Sequence, residues 1–267
     1  MIFVLVGAVF YFLDFNGLEN ALEVALETPD VTAISTSGED GAPELKIQPP
    51  AGNADVQGPL PPYTGEPIRE LNAAPQVAAS VGAVYVEKYQ KNLAAIAERL
   101  EKDPRNYDEW LGVAYIKKIF SNYTGTRDAW EYAKVVNPDN PIAYFNLGEL
   151  YGYELKELTK AEENYKTALK LNPYHFDYYI GLANFYEDVF KSPEKAEAIL
   201  LSALEKIPHS EVNLFTEIGA FYRDQKNYAK AVEYFEKALV AAKATLNPSV
   251  QKAVETELNY IRSKQSR

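Results

Sequence analysis

The 267-residue chain contains no cysteine, which excludes disulfides, thiol nucleophiles and cysteine-ligated zinc. Histidine is almost as scarce. His175 and His209 each follow a proline near an expected helix start and read as partly exposed loop-end residues, not as metal ligands or bases. A basic stripe is also missing, since the terminal Arg262, Lys264 and Arg267 are too few to neutralise a phosphate backbone, so no nucleic-acid partner is expected. The chain carries no glycine-rich phosphate loop, no H-E-x-x-H and no G-x-S-x-G. The adjacent acids Glu162 and Glu163, and Glu187 and Asp188, do not share a helix face at catalytic spacing and read as solvated. No catalytic residue, no metal site and no cofactor is therefore expected, and the chain does not read as an enzyme.

The charge that is present is unevenly placed. Residues 1–82 hold 11 Asp/Glu against only Lys46 and Arg69, a net of −9, whereas the rest of the chain nets only −2 of the total −11. An acidic arm therefore precedes a charge-balanced domain. The arm opens with MIFVLVGAVFYFLDF, about thirteen apolar residues where a spanning helix needs roughly 20. With no basic residue before Lys46, it lacks the positive start of a cleaved signal. Residues 1–17 are read as a membrane anchor or an uncleaved signal. The competing readings are an unusual signal peptide, a longer anchor whose first turns precede the numbered chain, and a buried first helix. Nothing basic flanks the C-terminal side of the apolar run for about thirty residues, so the expected topology is single-pass, with the remainder of the chain outside the cytoplasm.

Residues 18–82 are read as a linker. LENALEVALE (18–27) places its apolar residues unevenly round a helix and extends the anchor toward the headgroups. From Thr28 to about Val81 the chain turns to Pro, Gly, Ala, Ser and acid, centred on IQPPAGNADVQGPLPPYTGEP, with no helical or strand period. This reads as a disordered or polyproline linker. About 55 flexible residues would reach roughly 40 Å. Pro59–Pro62 matches P-x-x-P, a match that proline-rich spacers produce by chance.

Helical periodicity resumes in a flanking helix, residues 83–106, with Tyr89, Leu93, Ile96 and Leu100 on one face. The chain then repeats itself. Aligning YDEWLGVAYIKK, PIAYFNLGELYG, FDYYIGLANFYE and VNLFTEIGAFYR superposes Trp110, Tyr144, Tyr179 and Phe215, then Val113, Leu147, Leu182 and Ile218. A small column follows, Ala114, Gly148, Ala183 and Gly219, and after it Lys117, Tyr151, Tyr186 and Tyr222. The second half of each unit aligns Thr126, Ala161, Ala196 and Ala231, then Trp130, Tyr165, Leu200 and Phe235, then Ala133, Ala168, Ala203 and Ala238. Pro138, Pro173 and Pro208 close three units, while Pro248 comes about five residues late for the fourth.

This pattern resembles the tetratricopeptide repeat, a helix-turn-helix unit of about 34 residues with the W-x2-L-G-x2-Y, A-x3-F and P signature. The match covers residues 107–246, with one extra residue between the helices of the second and third units and departures at Lys117 and Thr126 in the first. The fold expected is all-α, a solenoid of about four repeats. Residues 247–267 form a capping helix whose stripe of Val250, Val254, Leu258 and Ile261 closes the open end. Gly148 is explained as a point of close approach to the alanine column of the second helix, and Gly152 as an aid to ending the first helix. The sequon Asn122-Tyr123-Thr124 falls in the first inter-helix turn, where a glycan would be accessible.

The resemblance implies an interaction scaffold whose first helices line a concave groove. Carried over residue by residue, the groove positions are Leu111, Tyr115, Phe145, Glu149, Tyr153, Asn184, Glu187, Asp188, Thr216, Arg223 and Asp224. Their aromatic and acidic character implies a protein or peptide partner with apolar anchors and some basic residues. The expectation is thus a membrane-tethered adaptor. A chaperone or assembly factor for envelope clients is the first alternative, and a fixed subunit of a larger envelope, secretion or surface-filament assembly the second.

Overall fold

The computed structural model describes residues 4–6, 9–11, 58–208 and 210–265. Val4–Val6 (β1) pairs antiparallel with Val9–Tyr11 (β2), Val4 opposite Tyr11. The expected anchor over residues 1–17 and the linker up to residue 57 otherwise lie outside the described residues, as does His209. Everything else described is helix, turn or extended connection, and no helix among the described residues is long and apolar enough to cross a membrane. The chain divides into two compact units, Met1–Ala143 and Tyr144–Arg267.

In the first unit, α1 (Pro75–Val81) and α2 (Ala83–Lys102) precede a helix pair, α3 (Tyr107–Ile119) and α4 (Tyr123–Val136). The side chains of Asn106 and Asn122 cap the starts of α3 and α4, accepting from the backbone N–H of Glu109 and Gly125. Tyr89, Leu93, Ile96 and Leu100 of α2 are buried as their period implies. The indole N–H of Trp110 donates to the Pro104 carbonyl at 3.0 Å, which ties the start of the pair to the proline turn before it.

The part of the expected linker that is described behaves differently from a spacer. Residues 58–74 run as a strap against α3 and α4, with a bend at Gly65–Glu66 and a turn closed by the Glu70 N–H on the Pro67 carbonyl at 3.2 Å, and α1 follows directly. The Tyr63 ring packs on Trp110 and Tyr132, with centroids 4.9 and 5.4 Å away. Leu71 is buried, and the Ala74 N–H donates to the Phe120 carbonyl at 2.9 Å. Long-range side-chain partners replace the missing local period, which is why composition alone did not show the strap.

From Pro141 onward, helix pairs follow one another. The helix α5 (Pro141–Glu149) runs into a π-helical turn, Leu150–Glu154, and α6 (Leu158–Leu171) follows. The helix α7 (Phe176–Asn184) runs into a second π turn, Phe185–Val189, before α8 (Pro193–Lys206). The last pair, α9 (Glu211–Asp224) and α10 (Tyr228–Ala244), is covered by α11 (Pro248–Gln265). The two π turns take up the extra residue counted in these units. Where no residue is inserted, the N–H of Asn227 reaches back five residues to the Tyr222 carbonyl; with the insertion, Glu157 and Ser192 reach back six, to Tyr151 and Tyr186.

The glycines are explained by ring contacts. A Cβ on Gly148 would lie 2.8 Å from the Tyr165 ring, and one on Gly219 would lie 2.9 Å from Phe235. The small column thus admits the aromatic of the second helix, not the alanine column. Gly152 is likewise a packing residue and not a helix terminator, because a Cβ there would lie 2.8 Å from Phe185. On α11, Val254, Leu258 and Ile261 are buried, and Arg262 pairs with Glu236 of α10 at 2.6 Å.

Candidate functional site

The first helix of each repeat presents the carried-over positions, and the structure sorts them by what they touch. Leu111 is only 8 % exposed and offers little surface, whereas Tyr115 is 39 % exposed and leans edge-on against Trp130. Phe145 is wedged in place: its ring meets Tyr165 and Tyr178, with centroids 5.6 and 4.9 Å away, and a Cβ on Gly181 would lie 2.5 Å from it. The hydroxyl of Thr216 donates to the Val212 carbonyl one turn earlier.

Four of the positions form one electrostatic group in the second unit. Burial raises the Tyr153 hydroxyl above its ordinary range, and the carboxylates of Asp188, Glu149 and Glu187 push it further. Burial also raises Glu187, reinforced by Asp188 and Asp224 and opposed by Lys191 and by a hydrogen bond from Gln225 at 2.8 Å. Asn184 and Asp188 are exposed beside them. The turns of the π segments carry Tyr153, Glu187 and Asp188, so the extra residue in each unit sets where these side chains emerge.

The remaining pair is committed elsewhere. Arg223 binds Asp224 at 2.8 Å and reaches Glu257 of α11 at 3.4 Å, which fastens the capping helix. Sequence reasoning did not single out Gln225, Lys191 or Glu217, the last raised by burial on α9. Nor did it find the Tyr165 hydroxyl, which is buried without a hydrogen-bond partner and raised by burial, with Glu149 and Tyr153 adding to the effect. The neighbouring Leu200 and Phe235 show that the column itself needs no polar atom, and that contrast was visible in the alignment.

Two other expectations change. Glu162 is not simply solvated: it accepts from Tyr186 at 2.7 Å and from Lys166 and Lys195 at 2.8 and 3.2 Å, and these partners hold its carboxyl down at about 2. The same arrangement recurs at Glu197, with Tyr222 and Lys230. Asn122 is buried, its amide nitrogen donating to Glu66 Oε2 and the Leu71 carbonyl, so the folded chain gives a glycan no access there. No cluster of His, Cys, Asp and Glu able to hold a metal occurs among the described residues.

Helix pairs whose first helix makes room, by small residues, for an aromatic of the second define a repeat scaffold. The tetratricopeptide-repeat family matches residues 142–175 and again residues 214–249, so these two stretches of the chain are tetratricopeptide repeats. It is 24 % identical over 141 residues to anaphase-promoting complex subunit 3 of Schizosaccharomyces pombe, covering 53 % of this chain and 21 % of that one. It is also 24 % identical over 149 residues to tetratricopeptide repeat protein 37 of Xenopus laevis, covering 52 % and 9 %. The chain thus spans about a fifth of the first relative and less than a tenth of the second. Among solved structures, MamA is 22 % identical with a TM-score of 0.47, covering 57 % of this chain and 88 % of that one.

Proposed function

We propose that the chain is a non-enzymatic adaptor that is held at a membrane by its apolar N-terminus and takes a partner protein segment on the first helices of its repeats, outside the cytoplasm. The observation that carries the reading is the group of Glu149, Tyr153, Glu187 and Asp188, where carboxylates crowd a half-buried tyrosine and Gln225 and Lys191 oppose the crowding at Glu187. Such a surface favours a segment that brings basic side chains and an apolar anchor, because a cation there relieves repulsion among the acids. Phe145 packs against Tyr165 and Tyr178, Leu111 is buried within the first unit, and Arg223 and Asp224 hold the cap. The apolar run at residues 1–15 and the absence of flanking basic residues support the membrane placement and topology.

The test is photo-crosslinking in the native membrane from a reactive residue at position 184, followed by mass spectrometry. The adaptor reading expects one dominant adduct that is lost in Asp188→Lys. A smear of unrelated adducts would overturn it in favour of a chaperone, and an adduct in fixed stoichiometry that survives Asp188→Lys would favour a structural subunit.

A further inference from the structure

The first repeat departs from the other three at several of the positions that touch the strap. Where the other units place Tyr151, Tyr186 and Tyr222, it has Lys117, wholly buried, whose ammonium donates to the Pro67 carbonyl at 3.1 Å and the Glu70 carbonyl at 2.6 Å, with Glu66 at 3.7 Å. The Asn122 amide reads the Glu66 carboxylate and the Leu71 carbonyl, and Asp128 accepts the Glu66 N–H at 3.0 Å. Tyr132 donates to the Pro61 carbonyl at 2.7 Å, and together with Trp110 it encloses the Tyr63 ring.

Both sides of this contact use a glycine at the closest approach. A Cβ on Gly65 of the strap would lie 2.5 Å from the Asp128 side chain, and a Cβ on Gly125 would lie 2.6 Å from Lys117 and 2.9 Å from Glu66. Main-chain carbonyls, one aromatic ring and one carboxylate are therefore each met by a dedicated group, as in a peptide complex. The residues that meet them are not the groove positions carried over from the family.

We propose that the first repeat is a second, separate peptide-recognition site, built to take a Pro-Pro-Tyr-x-Gly-Glu-Pro segment that bends at its glycine, and that its resident ligand is the chain's own residues 59–71. Covalent linkage through α1 keeps that ligand at an effective concentration near millimolar, so the site is filled in cis. The occupant reads as a ligand, not as core, because only Leu71 of the strap is counted among the buried residues of the core.

The test cuts the covalent link and leaves the rest of the full chain intact. Gly82 lies between α1 and α2 with open space around it, and because its φ of +86° favours glycine, a protease site is inserted directly after Gly82 with the glycine kept. After cleavage, the fragment that ends at residue 82 is expected to stay with the remainder through gel filtration at micromolar concentration. A labelled peptide of residues 58–74 should then exchange into the nicked protein, and its Gly65→Ala form should bind at least about tenfold more weakly. Dissociation of the fragment at micromolar concentration would overturn the proposal. Equal binding of the two peptides would also overturn it, and because that substitution is in the peptide, misfolding of the repeat cannot explain the result.

Discussion

The Lys117 ammonium donates to the Glu70 carbonyl at 2.6 Å from a position with no solvent exposure. Burial pushes this ammonium below its usual range, while Glu66, Glu70 and Asp128 pull it back. Lys117→Met would keep the packing volume but leave two carbonyls without a donor and Glu66 without its cation. The expected cost is about 2 to 4 kcal/mol of stability, read from urea unfolding of the full chain. A loss below about 0.5 kcal/mol would mean that water reaches the amine and that the strap contributes little.

That lysine was visible in the sequence as a misfit in a tyrosine column, but its reason was not. Helices and columns were legible because each unit repeats the same apolar spacing over four copies, and the extra residues in units two and three could be counted. Where those residues go could not be read, since a π turn leaves the composition of a helix unchanged and alters only its hydrogen-bond reach. The strap was illegible for a different reason. Its prolines and turn residues have no period, and its partners lie about fifty residues further along the chain. For the candidate groove, the alignment put Glu149, Tyr153, Glu187 and Asp188 on the first helices of their units, without showing that π turns would carry the last three. It could not tell that Phe145 would be trapped against Gly181, or that Arg223 would be taken by Glu257.

The close approach of Gly148 to the Tyr165 ring makes a test of opposed effects. On helix propensity alone, Gly148→Ala should gain about 1 kcal/mol. With the added carbon 2.8 Å from a buried ring, it should instead destabilise by about 1 to 3 kcal/mol. Ala168 is also wholly buried, and Ala168→Leu should lose a similar amount by overpacking the same helix pair. Thermal unfolding followed by circular dichroism separates the cases: a raised midpoint for Gly148→Ala would show that Tyr165 moves aside freely.

The turns inside the repeats hold a backbone conformation that their sequences do not advertise. Lys156, Lys191 and Lys226 lie at φ of +58°, +57° and +58°, and Ser121 at +55° does the same in the first unit. For a residue with a Cβ the left-handed conformation costs roughly 1 to 2 kcal/mol. Glycine removes that strain but loses about 0.5 to 1 kcal/mol of chain entropy, so Lys156→Gly should leave stability unchanged or raise it by up to about 1 kcal/mol. Lys156→Val should lose about 1 to 2 kcal/mol, because a branched Cβ fits that region worst. Equal unfolding midpoints for the two variants would show that the turn relaxes out of the left-handed region.

Glu162 should make the second unit sensitive to acid. Its hydrogen bond from Lys166 comes first among the causes that lower it, followed by those from Tyr186 and Lys195, and together they hold the folded carboxyl at about 2 against an ordinary 4.5. Because the folded pKa is depressed, the carboxylate's stabilisation is fully present above pH 4.5. It fades as the pH falls from there toward 2, since the unfolded chain takes up its proton first. Glu162→Gln removes the group that titrates and should cost stability at pH 6. The gap between the two proteins should then narrow steadily between pH 4.5 and 2.5. Urea midpoints measured across that range decide the matter. Parallel curves would mean that Glu162 ionises in the folded state as it does in the unfolded chain, and that its three partners do not act as a group. Because Glu197 repeats the arrangement one unit later with Tyr222 and Lys230, and is also lowered, Glu197→Gln should reproduce the narrowing. The double variant should flatten the acid limb more than either change alone.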